Sequence, residues 1–272
     1  MKMKSKIILL GTGNPNPDPK RYGPSVAIAV NDLLYLIDCG AGVVRRVSAA
    51  GILVSKITRL FLTHLHSDHT IGYPEVILTP GVNGRNEPLE VYGPKGLADM
   101  TDHILNAYKM DIQERIEGLE PANKDGYIVH THEIAEGVVY TDSNLYVEAF
   151  RVDHGSLESY GYKFVLPDRT VVISGDTCFS ENLIKHAKGC DILIHEVYSA
   201  EGLKERTDEW RVYHSAVHTS TLELAEIARQ VNPKLLILYH QLFMNQTEDM
   251  LLQEITEHYD GKVVSGKDLD IF

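Results

Sequence analysis

Three histidines and an aspartate fall within six positions of Thr63-His64-Leu65-His66-Ser67-Asp68-His69. Imidazole nitrogens and carboxylate oxygens are common ligands of zinc and related divalent ions. His64 and His66 alternate, so an extended backbone points them the same way. Asp68 and His69 are adjacent and point differently. One short segment can therefore offer two ligands to each of two neighbouring ions. The set is incomplete, because structural zinc takes four protein ligands and catalytic zinc usually three plus water. The missing ligands must lie elsewhere in the chain.

The elements that could position them repeat one pattern. Five apolar runs that read as strands end in a histidine or an acid, at His64, His154, Asp176, Glu196 and His240. Layered α/β folds build ligand sites at the carboxyl ends of strands. Core packing alone has no reason to place titratable groups there repeatedly. Around these runs the sequence predicts strands over 7–10, 26–30 and 33–37, with Asn31-Asp32 as a hairpin turn. A helix is expected through Arg45-Arg46 to Ala50, stopped by Gly51. Residues 79–90 read as a loop with a short strand at its end, and 94–120 as a helical insertion without evident chemistry. His130 and His132 also alternate, but no carboxylate follows, and they read as exposed strand residues. Ser220 and Glu223 form a capping box for a helix whose buried side is expected at Leu222, Ala225 and Ala228.

Bulk composition narrows the class. The chain has 272 residues, 43% of them hydrophobic and 24% charged, as in an ordinary globular protein. No linker or repeat divides it, so a single domain over 1–272 is expected. Lys and Arg number 26 against 38 Asp and Glu, a formal net charge of -12. That balance disfavours a nucleic-acid surface, which is built on cationic side chains. Cys39, Cys178 and Cys190 show no C-x-x-C spacing, which favours a reducing, cytoplasmic setting. The basic start, residues 1–6, precedes an apolar run too short for a signal peptide, and no run reaches membrane-span length.

These residues carry a resemblance. The 63–69 motif, His154, Gly175-Asp176-Thr177, His240, and Asp38 in Tyr35-Leu36-Ile37-Asp38-Cys39-Gly40 resemble the metallo-β-lactamase superfamily. Within it the chain is most similar to the ribonuclease Z-like branch, through Gly11-Thr12-Gly13, His195-Glu196 and His214-Ser215-Ala216-Val217-His218. The resemblance implies an α/β fold, a four-layer αββα sandwich. It implies a dinuclear centre: His64, His66 and His154 on one ion, Asp68, His69 and His240 on the other, and Asp176 bridging. Zinc is favoured, with manganese or iron allowed. Glu196 and His218 would assist the leaving group, with Glu196 orienting the imidazole and making it a better acid. His214 is a further pocket candidate.

One departure bears on substrate. The tRNA-processing members carry a basic arm between the third histidine and the bridging aspartate. Here only residues 155–175 separate His154 from Asp176. The pattern looks more like the branch's arylsulfatase-type group, which cleaves small sulfate or phosphate esters. A bridging hydroxide would be the nucleophile, and Arg45 and Arg46 are candidates to hold an anionic ester. The alternatives are a tRNA 3′-end-processing ribonuclease and, from another class, a non-catalytic metal-binding or sensing protein. A homodimer fits the branch.

Overall fold

The computed structural model describes residues 5–272. The start of the basic stretch, residues 1–4, lies outside the described residues. The chain forms two compact units. One is Ala135–Lys267; the other holds the described residues before it and Asp268–Phe272. Each is built on one mixed sheet with its own helices.

The first sheet runs in sequence order: β1 (Lys6–Gly11), β2 (Ser25–Val30), β3 (Leu33–Ile37), β4 (Ile57–Phe61), β5 (Leu89–Gly93) and β6 (Val129–Glu133). β1 to β3 pair antiparallel, and β3 to β6 pair parallel. Asn31 turns the β2–β3 hairpin at φ 54, a left-handed conformation that asparagine tolerates. The first unit's helices are α1 (Val43–Ala49), α2 (Ser67–Thr70), α3 (Tyr73–Val82), α4 (Leu97–Ala107) and α5 (Lys109–Glu117). Val43, Val47, Tyr73, Val76 and Ile77 from α1 and α3 pack on Leu10, Leu36, Leu60 and Val91 of the sheet.

Two expectations need correction here. The helical insertion is two helices broken at Tyr108, and α5 buries no residue. The expected loop from Thr79 is instead the last turn of α3, which continues through Pro80 to Val82. Pro80 has no N–H for the carbonyl of Val76, four residues earlier. Arg85 supplies the missing donor, with Nη1 3.0 Å from Val76 O. Its guanidinium also donates to Ile57, Ile77 and Gly126 carbonyls at 2.7–3.1 Å. Arg85 is 1% exposed, and burial lowers its pKa to about 10.

The second sheet comprises β7 (Gly137–Thr141), β8 (Tyr146–His154), β9 (Leu157–Val165), β10 (Thr170–Ile173), β11 (Ile192–Tyr198), β12 (Leu235–Leu242) and β13 (Val263–Ser265). β7 to β10 pair antiparallel and β10 to β13 parallel. Its helices are α6 (Glu181–Ala187), α7 (Ala200–Lys204), α8 (Asp208–Val217), α9 (Thr221–Val231) and α10 (Glu248–Thr256). The Ser220–Glu223 capping box is present at α9. Leu222 is not on its buried side; it is 47% exposed, and Leu224, Ile227 and Val231 join Ala225 and Ala228 in the core. The buried stripe follows the i, i+3, i+4, i+7 spacing from Leu224.

Glu196 and His240 do not end their strands. β11 continues to Tyr198 and β12 to Leu242. The register slips between Glu196 and Val197, where β12 carries one extra residue. That residue is His240, at φ 45. Such a bulge re-aims a side chain without ending the strand. Among the described residues, no helix is long and apolar enough to cross a membrane.

Candidate functional site

The sequence-predicted residues fall into two clusters, one in each unit. In the first, Asp38 follows β3 directly and is 1% exposed at φ 55. Its carboxylate accepts from Thr63 N at 2.8 Å and Thr63 Oγ1 at 2.9 Å, and from His69 Nδ1 at 2.8 Å. Asp38 thus pins both ends of the 63–69 loop. The Thr63 hydroxyl gives its proton to Asp38, so its oxygen accepts from His64 Nδ1, 3.0 Å away. His64 then presents an unprotonated Nε2, which lies 3.0 Å from His66 Nδ1. His69, held through Nδ1, presents Nε2 3.6 Å from Asp68 Oδ2.

The backbone underneath is equally constrained. Cys39 N donates to His69 O, and Gly72 N donates to Cys39 O, both at 2.8 Å. A Cβ on Gly40 would meet Gly23 backbone at 2.3 Å, so only glycine fits this crossing. Beside the loop lies a cavity of about 790 Å³, lined by Asn14, Asn16, Arg21, Tyr22, Arg45 and Asp68 among others. The two candidate arginines separate here. Arg45 lines the cavity and is exposed. Arg46 does not line it: its Nε donates to Leu10 O at 3.2 Å, and its guanidinium lies 4.7 Å from the Tyr22 ring centroid.

In the second unit, His154 closes β8 and its Nδ1 donates to Val217 O at 2.6 Å. That leaves Nε2 as the nitrogen that could take a metal ion. Asp176 follows β10, with Oδ2 3.3 Å from His240 Nε2 and 3.9 Å from His218 Nδ1. Glu196 is fully buried. Its Oε1 accepts from Thr177 N at 3.2 Å, Thr219 N at 3.1 Å and His218 Nδ1 at 3.1 Å. Burial raises the Glu196 pKa, and the adjacent His218 opposes that rise. Donor atoms of His154, Asp176 and His218 lie within 4.8 Å of one another, as do those of Glu196, His218 and His240. His214 is half-buried one helical turn before His218, and burial together with His218 lowers its pKa to about 4.

The chemistry of both clusters fits divalent metal ions. Imidazole nitrogens and carboxylate oxygens converge at ligand spacing. Their opposite ring nitrogens are occupied by Asp38, Thr63 and Val217, the outer hydrogen bonding that metal-ligating histidines normally show. Asp38, a motif residue without an expected role, is given one by the fold: it orients Thr63 and His69. Like the other site residues, it is an acid that follows a buried strand. His130 and His132 take no part; they hold Glu90 between them on the edge of the first sheet, at 2.8 and 2.7 Å.

The family model described as anti-Pycsar protein Apyc1 matches residues 5–256. A ribonuclease Z from Mycobacterium sp. (strain KMS) is 34% identical over 245 residues, covering 87% of this chain and 84% of that protein. Among solved structures, the metallo-β-lactamase fold protein YhfI from Bacillus subtilis superposes with TM-score 0.79 at 17% identity, covering 98% of each chain. Human tRNase Z, short form, superposes with TM-score 0.72 at 23% identity, again covering 98% of each.

Proposed function

The chain belongs to the anti-Pycsar protein Apyc1 family, in the ribonuclease Z-like branch of the metallo-β-lactamase fold, and from that premise we propose that it is a metal-dependent hydrolase of small phosphate or sulfate esters, phosphate diesters above all. The proposed ligands are His64, His66 and His154 for one ion, Asp68, His69 and His240 for the other, and Asp176 for both. Zinc suits this nitrogen-rich set best, with manganese or iron as alternatives. When bound, such ions lower the pKa of water towards neutrality and draw off charge that builds on the ester oxygens.

The chain's own residues do the rest. Asp38 and Thr63 hold His69 and His64 in the tautomers that leave a ligand nitrogen bare. Arg45 draws an anion into the adjacent cavity. His218, held by Glu196 through Nδ1, donates a proton from Nε2 to the departing oxygen. Each proton given up there is regained from water, so the pair is restored after turnover.

The observation that carries the reading is the buried Glu196–His218 contact at 3.1 Å. The contact fixes the ring through Nδ1 and leaves Nε2 as the nitrogen that can meet the departing oxygen. Phosphate diesters are favoured over sulfates because the 34% identical relative is named a ribonuclease, and RNA is cut at a phosphate diester. A small ester is favoured over RNA because only the β9–β10 hairpin lies between His154 and Asp176, and the net charge is -12. The test is a substrate panel on metal-defined enzyme: linear and cyclic phosphate diesters, phosphate monoesters, nitrophenyl sulfate and precursor tRNA. Fastest turnover is expected on a small diester. Cleavage of precursor tRNA alone would replace this reading with ribonuclease Z activity, and bound metal without turnover would make the chain a metal-binding protein.

A further inference from the structure

Segment Asp268–Phe272 lies antiparallel along β1, the end strand of the first sheet. Ile7 N and Leu9 N donate to Phe272 O and Asp270 O at 3.1 and 3.0 Å. Phe272 N and Leu269 N donate back to Ile7 O and Leu9 O at 2.9 and 2.6 Å. This pairing sets Asp268 beside the residues that follow β1. Its side chain is 7% exposed. One oxygen, Oδ1, accepts from Thr12 N at 2.9 Å and from Thr12 Oγ1 at 2.8 Å. The other, Oδ2, accepts from Tyr22 N at 2.8 Å. Arg46 Nη2 stands 3.8 Å from Oδ2, supplying countercharge from beyond hydrogen-bond reach.

Thr12 and Tyr22 are the two legs of the loop that joins β1 to β2. The legs also meet directly: Gly13 N donates to Tyr22 O at 2.8 Å, and Arg21 Nη1 donates to Thr12 Oγ1 at 2.9 Å. A Cβ on Gly13 would meet Tyr22 O at 2.7 Å. Between the legs, Pro15 to Lys20 is exposed. Pro15, Pro17 and Pro19 fix φ and stiffen that span, so it moves as one body about its legs. The loop supplies most of the lining of the cavity beside the 63–69 loop, and Arg45 and Asp68 belong to the remainder. Water could satisfy the Thr12 and Tyr22 amides of an unanchored loop. A carboxylate from a residue 256 and 246 positions away holds both legs instead.

We propose that Asp268 is a positioning residue for ester binding: it acts through the 11–23 loop and sets the wall against which the substrate is held. The proposal rests on the hydrolase reading and adds a residue to it. Asp268 does not line the cavity, and the loop carries no proposed metal ligand or acid. Releasing the loop therefore weakens binding and leaves the chemical step alone, which reads as a raised KM at constant kcat. Arg46 is dispensable for this, since the three shorter bonds to Asp268 remain without it.

Asp268→Asn tests this with the side chain's shape kept. The amide oxygen can still accept from Thr12, but the NH2 group faces the Tyr22 N–H, donor against donor. In metal-loaded protein, hydrogen exchange at the Tyr22 amide should quicken by about 10–100-fold, the worth of one hydrogen bond to a charged acceptor. Exchange at Ile7 and Leu9 should match the wild type, because the strand pairing is untouched. KM for bis-nitrophenyl phosphate should rise roughly tenfold, with kcat within about twofold and bound zinc unchanged. Thr12→Val, which removes a hydroxyl from the same contact, should shift KM the same way. Thr12→Ser, which keeps the hydroxyl, should hold the wild-type value. Quickened exchange with a wild-type KM would show that binding ignores the placement of this wall. Unchanged exchange would show that Asp268 does not hold it. Either result overturns the proposal and leaves the hydrolase standing. Lost protection at Ile7 and Leu9, with kcat and KM both impaired, would make Asp268 a strand-packing residue and also overturn it. Wild-type protein that hydrolyses no ester of the panel would instead overturn the hydrolase premise, and the proposal with it.

Discussion

The carboxylate of Asp38 accepts a hydrogen bond from His69 Nδ1 at 2.8 Å, with both side chains shut off from solvent. Outer carboxylates of this kind fix ring orientation and raise ligand basicity, and their loss typically costs 10–100-fold in metal affinity or activity. Asp38→Asn keeps a residue that tolerates the positive φ but removes the charge. Zinc affinity of this variant, measured by competition with a chelator, should fall by about that factor. Wild-type affinity would show that His69 needs no such support.

The Glu196–His218 pair predicts a dependence on leaving group. His218→Gln should lower kcat/KM for an alkyl phosphate diester by about 10²–10⁴-fold, the usual worth of a positioned acid. A nitrophenyl diester, whose leaving group departs without a proton, should lose far less. Comparable losses on both would remove the acid role from His218.

Arg45 and Arg46 should separate on substitution. Arg45 lines the cavity and has no carboxylate partner among the described residues. Arg45→Ala is expected to raise KM for an anionic ester several-fold, an effect that fades with added salt because exposed charges are screened. Arg46→Ala should leave KM nearly alone and lower the melting temperature. The opposite pattern would reverse the assignment.

Arg85 predicts a stability effect remote from the chemistry. Arg85→Met strands the carbonyls of Ile57, Val76, Ile77 and Gly126 in the core and should cost about 3–5 kcal/mol by denaturant titration. Lysine should rescue little, because an ammonium lacks the planar five-donor fork. A loss below about 1 kcal/mol would mean water replaces the guanidinium.

His195 predicts the acid limb of stability. It is fully buried, and burial lowers its pKa from 6.5 to about 4. Below pH 6.5 the unfolded chain takes up a proton that the folded chain refuses until about pH 4. The histidine's contribution is therefore complete above pH 6.5 and is lost as pH falls towards 4, on the order of 3 kcal/mol across the window. The stability difference between wild type and His195→Asn should change with pH across that window. A difference that stays flat would show the imidazole protonating as freely in the fold as outside it.

Sequence by itself determined the close spacing of imidazoles and carboxylate in the 63–69 loop, the hairpin at Asn31 and the capping box at Ser220 and Glu223. Each is written in side-chain type and short spacing, where the chain's own geometry sets which groups can meet. It also marked His154, Asp176, Glu196, His218 and His240 as chemistry-bearing residues. Only the tertiary structure decided what holds them. It brought Thr63 to Asp38 and gathered Thr177, Thr219 and His218 on one oxygen of Glu196. It let α3 run through Pro80 because Arg85 folds back beneath it, and it placed His240 in a bulge rather than at a strand end. The reason is physical: a hydrogen bond between residues far apart in the chain depends on where the backbone carries its partner, and local periodicity holds no record of that distance.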